Sequence, residues 1–551
     1  MLSRELSVKR PGSQARHRLM LFILTLVTLS IVWTMRASAG GGSGDLEVVI
    51  REGLEGQAVL VGALILLAVY MIIIFEWMHR TLAAAVGSLV AVGALIYYME
   101  GSLTLGQTAN MVDWDTIGLL LGMMVMVGVL SHTGVFEWFA VRAYKKSGGS
   151  VWSLVVILCI VTAVLSAFLD NVTTMLLITP VTIQLAKVLD LPPVPLLIAE
   201  VMFSNIGGAA TMIGDPPNII IGNGMSEAAL SGGEYDALAS QAISFNDFII
   251  NLAPGILMTV IPTFMFLKWM HRDVFCTHRH RDVEELEAKY GIKDAALLKR
   301  AGGVLFLVIL GFFLHPLLHV PVAWVALIGA VLTLLVTTPH ELEEALEKVE
   351  WSTLLFFAGL FVLVHSLDLM GVIKWIGEQV VSTISQFDDS GTQLTVAILL
   401  LLWVSAIASA FIDNIPYTAT MVPVVLVMAQ PIAHGGELGL ALQPLIWALA
   451  FGACLGGNGT LIGASANVVT AGMAEEEGYK ISFNEFFKTG FPIMIITTAI
   501  VTLYCMLVYV WGVAIWKVLI ATIVVIALDI WWELKPGNDR WFPDEMVRES
   551  E

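Results

Sequence analysis

The chain has little charge for its length. Only 13% of its 551 residues are Asp, Glu, Lys or Arg, whereas 57% are hydrophobic and the mean hydropathy is +0.84. Soluble globular proteins do not have this composition, but a chain with many spans of about 20 apolar residues does. The scarcity of charge therefore predicts a polytopic membrane protein that is one folded unit despite its length.

The cysteines are also few, and their positions exclude some classes of protein. Cys159, Cys276, Cys454 and Cys505 are scattered, so neither a disulfide framework nor a paired zinc motif is predicted. A nucleotide-binding loop and a nucleophile elbow are missing as well, so we do not expect an enzyme. The formal net charge of −18 comes from acidic clusters in loops and gives no reason to expect nucleic acid as a partner.

What the chain does contain is one unusual motif in two copies. Ser-Ala-Phe-Leu-Asp-Asn at 166–171 recurs as Ser-Ala-Phe-Ile-Asp-Asn at 409–414, 243 positions later. Each copy interrupts an apolar region, at 150–188 and 393–432, that is too long for one span. An Asp-Asn pair at membrane depth is costly and marks a functional site. Hydropathy leaves open whether each region is a re-entrant hairpin or crosses the membrane twice.

A glycine-rich segment follows each copy of this motif. The first, at 204–218, holds three glycines and two prolines, and its partner lies at 454–467. Glycine lets the backbone leave a helix, and proline removes a hydrogen-bond donor. We expect two broken helices whose half-helix ends face a site, rather than two helices that pack closely through small residues.

The repeat extends beyond these motifs, because 112–116 with Gly134 matches 349–353 with Gly371 at a shift of 237. Each half contains three spans, a hairpin, a broken span and one further span, and this odd number of crossings makes the halves inverted. The predicted fold is an all-α polytopic membrane protein with two inverted repeats. Each repeat has a re-entrant helical hairpin and a broken transmembrane helix, and there are about 12 transmembrane helices plus the two hairpins.

Basic residues set the predicted orientation, with the N-terminus and the basic loop after the first repeat in the cytoplasm. Residues 19–37 fit either a retained first helix, which we favour, or a signal segment. The predicted divisions are a cytoplasmic basic leader at 1–18, this helix or signal segment at 19–37, the first inverted repeat at 55–270, a cytoplasmic linker at 271–300, the second inverted repeat at 301–512, an extra C-terminal transmembrane helix at 513–533 and a C-terminal tail at 534–551.

The polar and glycine residues of the motifs are the predicted ion- or substrate-binding residues, and no catalytic residue is predicted. Carbonyl and hydroxyl oxygens suit a dehydrated cation, half-helix N-termini suit an anion, and Asp can exchange a proton. The alternative for each Asp-Asn pair is a cap on the helix that follows it. The candidates are Asp170, Asn171, Thr173, Thr174, Asn205, Gly207, Gly208, Thr211, Asp215, Asn218, Asp413, Asn414, Thr418, Gly456, Gly457, Asn458, Thr460 and Asn467, with Na+ expected at Asn171 and Asn414.

Two carboxylates break the symmetry of the repeat. Asp215 stands opposite Ala464, and Glu200 stands opposite Leu449. Asp215 is therefore a candidate carrier of a proton or a cation on one half only, with a helix cap as the alternative. Glu200 is a candidate for proton coupling.

These residues also carry a family resemblance. Asp-Asn-Val-Thr-Thr at 170–174 and the glycine-rich segments at 204–218 and 452–467 resemble the ion transporter superfamily, and within it the melanosomal P protein group. That superfamily includes arsenite permeases, NhaD-type sodium/proton antiporters and citrate carriers. The resemblance, over residues 55–512, implies a homodimer in which a scaffold stays still while hairpins and broken helices move as an elevator. Dicarboxylate relatives have Ser-Asn-Thr at the hairpin tips, and this chain does not, so a carboxylate substrate is not carried over.

We therefore expect a secondary active ion transporter with an elevator-type alternating-access mechanism, most simply sodium- or proton-coupled antiport. The alternatives are a transporter of an anion or oxyanion such as arsenite, chloride or an organic anion, and an uncoupled anion conductance. The expected partners are the lipid bilayer, a small inorganic or organic ion and a second copy of the chain, with coupling Na+ or H+ in place of a cofactor. The expected location is a multi-pass position in a cell membrane, the inner or plasma membrane if the source is prokaryotic.

Overall fold

The computed structural model describes residues 49–533 except 76, 232–234, 279–290, 319, 338–341, 348 and 432–437. This part of the chain is helical, with two isolated β-bridges. Ten of its helices are long and apolar enough to cross a membrane, and four shorter helices are also apolar. The all-α polytopic fold predicted from composition is therefore confirmed. The predicted leader, first helix and C-terminal tail, and much of the 271–300 linker, lie outside the described residues.

The described part of the first half contains nine helices of nine residues or more. In chain order they are α1 (Glu55–Ile74), α2 (Arg80–Tyr98), α3 (Trp114–Ser131), α4 (Val135–Ser147), α5 (Val151–Phe168), α6 (Asn171–Leu189), α7 (Pro193–Gly208), α8 (Pro216–Gly224) and α9 (Phe245–Met270). Helices α5 and α6 are the two arms of the first hairpin, since only Leu169 and Asp170 separate them. Helices α7 and α8 are the halves of the first broken helix.

The second half repeats this series of elements. It contains α10 (Ala295–Leu318), α11 (Val322–Thr337), α12 (Trp351–Leu369), α13 (Val372–Ile384), α14 (Ser390–Phe411), α15 (Asn414–Ala429), α16 (Leu442–Gly456), α17 (Ser465–Glu476), α18 (Phe483–Cys505) and α19 (Ile515–Glu533). Helices α14 and α15 form the second hairpin, and α16 and α17 form the second broken helix. Both interrupted apolar regions are thus helical hairpins, as the duplicated motif suggested.

Helices α4 and α13 are the elements that the sequence analysis missed. Each has 13 residues and follows a glycine in the left-handed region, Gly134 at φ 76° and Gly371 at φ 82°. Glycine adopts this conformation without strain, so it can turn the chain sharply between two helices. In α4 one side is buried while Lys145 and Lys146 are exposed, and such an amphipathic helix is too short and too charged to register as a span.

The helices group into two compact units. One unit comprises the described residues up to Ile117 together with Trp351–Glu378. Inside it the Thr81 hydroxyl donates to the Ser352 carbonyl at 2.8 Å. The other unit comprises the described residues of Gly118–Glu350 and those from Gln379 onward, and it holds both hairpins and both broken helices. The limits of the two sequence repeats stay a prediction.

Close backbone contacts hold each hairpin against its broken helix. A Cβ atom on Gly207 of α7 would lie 2.2 Å from the Ala163 carbonyl oxygen of α5, and one on Gly456 of α16 would lie 2.6 Å from the Ala406 carbonyl oxygen of α14. Only glycine permits this approach. The glycines of the second motif therefore bring the broken helices directly against the hairpins.

Candidate functional site

The aspartates of the two Asp-Asn pairs begin the returning arms of the hairpins. The Asp170 carboxylate accepts hydrogen bonds from the Thr173 backbone N–H, at 2.9 Å, and from the Thr173 hydroxyl. The Asp413 carboxylate accepts from the Ile415 backbone N–H at 3.1 Å. Both side chains satisfy helical donors that have no partner within the helix. The capping role that the sequence left open is therefore what both aspartates perform.

The asparagines of the same pairs converge on Asp215. The Asn171 amide donates to Oδ1 of Asp215 at 3.1 Å, and the Asn414 amide donates to Oδ1 and Oδ2 at 3.3 and 3.4 Å. Asp215 lies in the break of the first broken helix and is completely buried. The two hairpin tips thus meet at one carboxylate.

Asn205, near the end of α7, extends this network to the second broken helix. Its carbonyl oxygen accepts from the Asn171 amide at 3.1 Å, and its own amide donates at 3.0 Å to the side-chain oxygens of both Asn458 and Asn467. Five asparagines and one aspartate are thus linked by hydrogen bonds, from two hairpins and two broken helices. We call them the asparagine cluster: Asn171, Asn205, Asp215, Asn414, Asn458 and Asn467.

Some polar atoms of this region have no hydrogen-bond partner in the described structure. They are Oδ1 of Asn171, Oγ1 of Thr174 and Nδ2 of Asn458, and all are buried. A buried polar atom without a partner costs about 1–3 kcal/mol, so native proteins keep few of them. The two oxygens are the kind of ligand that a dehydrated cation takes.

The charge of Asp215 is not balanced by a basic side chain. It forms no ion pair with any described residue, and the described salt bridges lie elsewhere, at Lys187–Glu477, Arg272–Asp273 and Lys293–Glu137. A buried carboxylate without a partner must be neutralised by a proton or a bound cation. No group of three or more His, Cys, Asp or Glu side chains in the described residues could hold a metal ion, so a conventional transition-metal centre is not indicated there.

Other predicted residues stabilise the breaks in the two helices. The Asn218 amide donates to the carbonyls of Gly208, Ala209 and Thr211, and the Asn467 amide donates to those of Gly457 and Thr460. These carbonyls have lost their helical donors, so each asparagine replaces them.

Hydroxyl groups connect the breaks to the hairpins. Thr211 donates to the Ala167 carbonyl and Thr460 to the Ala410 carbonyl, just before each hairpin turn. The Thr418 hydroxyl donates to the Asn414 carbonyl of its own helix at 2.8 Å. The predicted side chains are therefore brought together, and none of the polar ones is more than 9% exposed. Their role in ion binding stays a prediction.

Several polar contacts around the cluster involve residues that were not predicted from the sequence. Ser465 donates to the Asp413 carboxylate at 2.8 Å, the Ser409 hydroxyl donates to the Ala453 carbonyl at 2.6 Å, and the Cys454 thiol donates to Oδ1 of Asn218 at 3.3 Å. Ser204 of α7 donates to the Ser166 hydroxyl of α5 at 3.1 Å. Ser166 and Ser409 open the two copies of the duplicated motif, and this shared position was the available signal.

Comparison with known proteins identifies the family. The profile of the citrate transporter family (CitMHS) matches residues 70–452. The chain is 40% identical to the human P protein over 559 aligned positions, which cover 89% of this chain and 64% of that protein. The chain thus spans somewhat less than two thirds of the P protein's length.

A further relative agrees with this family, and a solved structure shares the fold. An uncharacterised transporter of Mycobacterium bovis is 39% identical, and the match covers 82% of this chain and 98% of that protein. The structure of the YdaH transporter of Alcanivorax borkumensis superimposes with a TM-score of 0.51 at 12% identity, covering 91% of this chain and 99% of that one, which shows a shared fold. The chain is therefore a multi-pass integral membrane protein that belongs to the citrate transporter family.

Proposed function

We propose that this transporter is a secondary active ion antiporter coupled to sodium or protons, and that the asparagine cluster is its ion site. The observation that carries the proposal is the convergence of both hairpin tips on the buried, unpaired carboxylate of Asp215. One negative charge surrounded by amide groups attracts one monovalent cation. The unpartnered oxygens of Asn171 and Thr174 would complete its ligands, and Asn414 would contribute from the other hairpin.

The charge of Asp215 favours an obligatory exchange of one cation for another. With Asp215 ionised and unoccupied, the site carries a net charge that is expensive to move through an apolar barrier. Binding of Na+ or H+ removes this charge. If the part of the protein that holds the site can move across the membrane only when the site is neutral, it must carry one cation in each direction. Such an exchange of cations is antiport. We propose an elevator-type movement of the hairpins and broken helices, in a homodimer, as the carrier step.

The same geometry argues against an anion as the main substrate. An anion at a half-helix N-terminus needs free backbone N–H groups. Helix α8 begins with Pro216 and Pro217, which have none, and Asp215 precedes them. At the start of α17, Ser465 already binds the carboxylate of Asp413. A carboxylate therefore lies beside the start of each second half-helix, so citrate or arsenite would need a cation bound first.

Reconstitution into liposomes tests the proposal. Purified protein is inserted into vesicles that contain a pH-sensitive dye, the membrane potential is held at zero, and an inward Na+ gradient is imposed. We expect the interior to become alkaline as H+ leaves, and protein-free vesicles to show no change. Arsenite, chloride and citrate uptake is measured in parallel, with and without Na+.

The outcomes separate the candidate functions. Verified insertion with no pH response to Na+ would exclude sodium/proton exchange. Saturable anion uptake that does not depend on Na+ would favour the anion transporter. An anion current that rises linearly with anion concentration and does not saturate would favour a conductance. In the antiporter, Asn171→Ala should abolish the pH response while the protein still elutes as a single folded species.

A further inference from the structure

A second buried carboxylate lies outside the asparagine cluster. Glu200 of α7 is 1% exposed, and its Oε1 accepts from the Thr182 hydroxyl of α6 at 2.8 Å. Its Oε2 has no hydrogen-bond partner, and the carboxylate forms no ion pair with any described residue. A buried, half-satisfied carboxylate is costly, so the structure needs a reason to keep it.

The register between α5 and α7 places a hydroxyl beside Glu200. The Ser166–Ser204 hydrogen bond joins these helices at 3.1 Å, and Thr162 and Glu200 lie one turn earlier on the same faces. Cys159 lies three residues before Thr162 on α5 and is close enough to Glu200 to feel its charge, which agrees with this register. Thr162 is fully buried and its Oγ1 has no partner in the described structure.

Helix α6 supplies more unpaired oxygens at this level. Thr179 precedes Thr182 by three residues, so both face Glu200, and Oγ1 of Thr179 is also buried without a partner. Three hydroxyls and a carboxylate are therefore gathered between α5, α6 and α7.

We propose that Glu200, with Thr162, Thr179 and Thr182, forms a second intramembrane site that takes one monovalent cation, H+ or Na+. One negative charge among neutral oxygen ligands matches one positive charge and no more. The oxygens without partners do not hydrogen-bond with one another, as is expected of ligands that an ion would separate.

The second repeat shows that the fold does not need these polar groups. The positions equivalent to Thr179, Thr182 and Glu200 are Val422, Val425 and Leu449, and all three are buried. The position equivalent to Thr162 is Ser405, whose hydroxyl pairs with that of Tyr417 at 3.0 Å. In the second repeat this position between three helices is thus filled mainly by apolar side chains. In the first repeat it holds polar side chains, three of whose oxygens have no hydrogen-bond partner in the described structure.

Few titratable groups face Glu200, so a change in the titration of carboxyl groups can be assigned to it. Cys159 is the titratable side chain that faces it from α5, and α6 presents hydroxyls. Helices α9, α16, α17 and α18 also pack against α7, and no ionisable group among their described residues interacts with Glu200. A titration that is lost with Glu200 and kept in Cys159→Ser therefore belongs to this carboxyl.

Ion binding to purified protein tests the proposal independently of transport. Radioactive Na+ binding is counted at saturation, and protonated carboxyl groups are followed by infrared difference spectroscopy across pH. Wild-type protein, Glu200→Gln and Asp215→Asn are compared. We expect Glu200→Gln to lose either one bound Na+ per chain or one titrating carboxyl band, and Asp215→Asn to leave that Na+ or band in place.

The readouts also identify the occupant. Loss of a bound Na+ shows a sodium site, and loss of the carboxyl band alone shows a proton site. An unchanged Na+ count together with an unchanged band in Glu200→Gln would overturn the proposal, whatever the transport assays give. If Glu200→Gln does not fold, Thr179→Val serves instead, since Val occupies this place in the second repeat. It should weaken Na+ binding about tenfold or shift the carboxyl titration, and no change in either would equally overturn the proposal.

Discussion

At the scale of single residues, the aspartates of the site differ in the groups that donate hydrogen bonds to them. Asp170 and Asp413 are used by the hairpin helices as caps, and Asp413 also by Ser465. Asp215 accepts from the amides of two different hairpins and forms no ion pair with a described residue, so we propose it as the ligand of the cation. The duplicated aspartates thus cap helices while their part in ion binding stays a prediction, and the unmatched one is the centre of the proposed ion site.

Replacing this unmatched carboxylate should remove the proposed coupling. Asp215→Asn removes the negative charge from the cluster. It also places a new amide group where the amides of Asn171 and Asn414 already donate. We expect the apparent affinity for Na+ in vesicle flux to fall at least about 100-fold, the scale of one lost charged contact. Asp389→Asn is the control, because Asp389 caps an exposed helix end and should leave flux unchanged. Equal flux in wild type and Asp215→Asn would contradict the assignment.

His271, at the cytoplasmic end predicted for α9, should make stability depend on pH. Burial lowers the pKa of His271 below its usual range, and its ring nitrogen lies 3.1 Å from the Thr489 hydroxyl. The unfolded chain therefore binds the proton first as pH falls. Stability is complete above the unfolded pKa of about 6.5 and is lost as pH falls from there through the lower folded pKa.

His271→Gln keeps a neutral hydrogen-bonding group and removes this titration. Thermal unfolding followed from pH 8 to 5 should give a Tm that falls more steeply in wild type than in the variant, with the difference below about pH 6.5. Parallel curves would show that His271 is not the group responsible.

At the scale of elements, glycine decides how the broken helices meet the hairpins. Gly207 and Gly456 occupy equivalent places, and each lies against the backbone of a hairpin arm. Helix propensity alone would disfavour glycine here, by about 0.5–1 kcal/mol relative to alanine. The gain is the close approach that lets Thr211 and Thr460 reach the carbonyls before the hairpin turns.

A single methyl group at Gly207 should separate these elements. In Gly207→Ala the new Cβ would meet the backbone of Ala163, which cannot move aside as a flexible side chain could. We expect a loss of about 1–3 kcal/mol in stability and reduced transport. Gly302→Ala, also within a helix but with nothing within 4 Å of the new Cβ, should be neutral or slightly stabilising. Thermal unfolding of both variants measures the difference, and equal effects would contradict the close-packing argument.

At the scale of the whole molecule, the described structure is closed around the asparagine cluster. Its side chains are 0–2% exposed although they are the proposed route of an ion. Transport therefore requires states in which these residues meet water, as alternating access demands.

Two native cysteines can report such states. Cys454 is fully buried and donates to Asn218 in the site, whereas Cys505 is fully buried in α18, away from the cluster. With the partly exposed Cys276 changed to Ser, a small thiol reagent should label Cys454 faster when a Na+ gradient drives turnover, and Cys505 should stay unlabelled. Mass spectrometry of the labelled peptides gives both rates. Equal slow labelling of the two under turnover would count against movement of the cluster.

The sequence could predict the class of fold and the members of the asparagine cluster because both depend on local features. Long apolar runs identify spans, and an Asp-Asn pair or a glycine-rich segment inside such a run is recognisable without knowing its neighbours. Duplication supplied a second copy of each signal. The short amphipathic helices α4 and α13 were not predicted, because a single apolar face gives only a weak signal in a helix of 13 residues.

By itself, then, the sequence determined that this is an all-helical membrane protein with duplicated hairpins and broken helices, and it named the side chains that meet. Only the tertiary structure decided what each one does. Asp170 caps a helix and Asp215 joins two hairpins, although both are buried aspartates in membrane segments, because their roles depend on donors from other helices. The unpaired oxygens around Glu200 likewise emerge only when α5, α6 and α7 are packed together, since hydrogen-bond satisfaction is a property of neighbours in space.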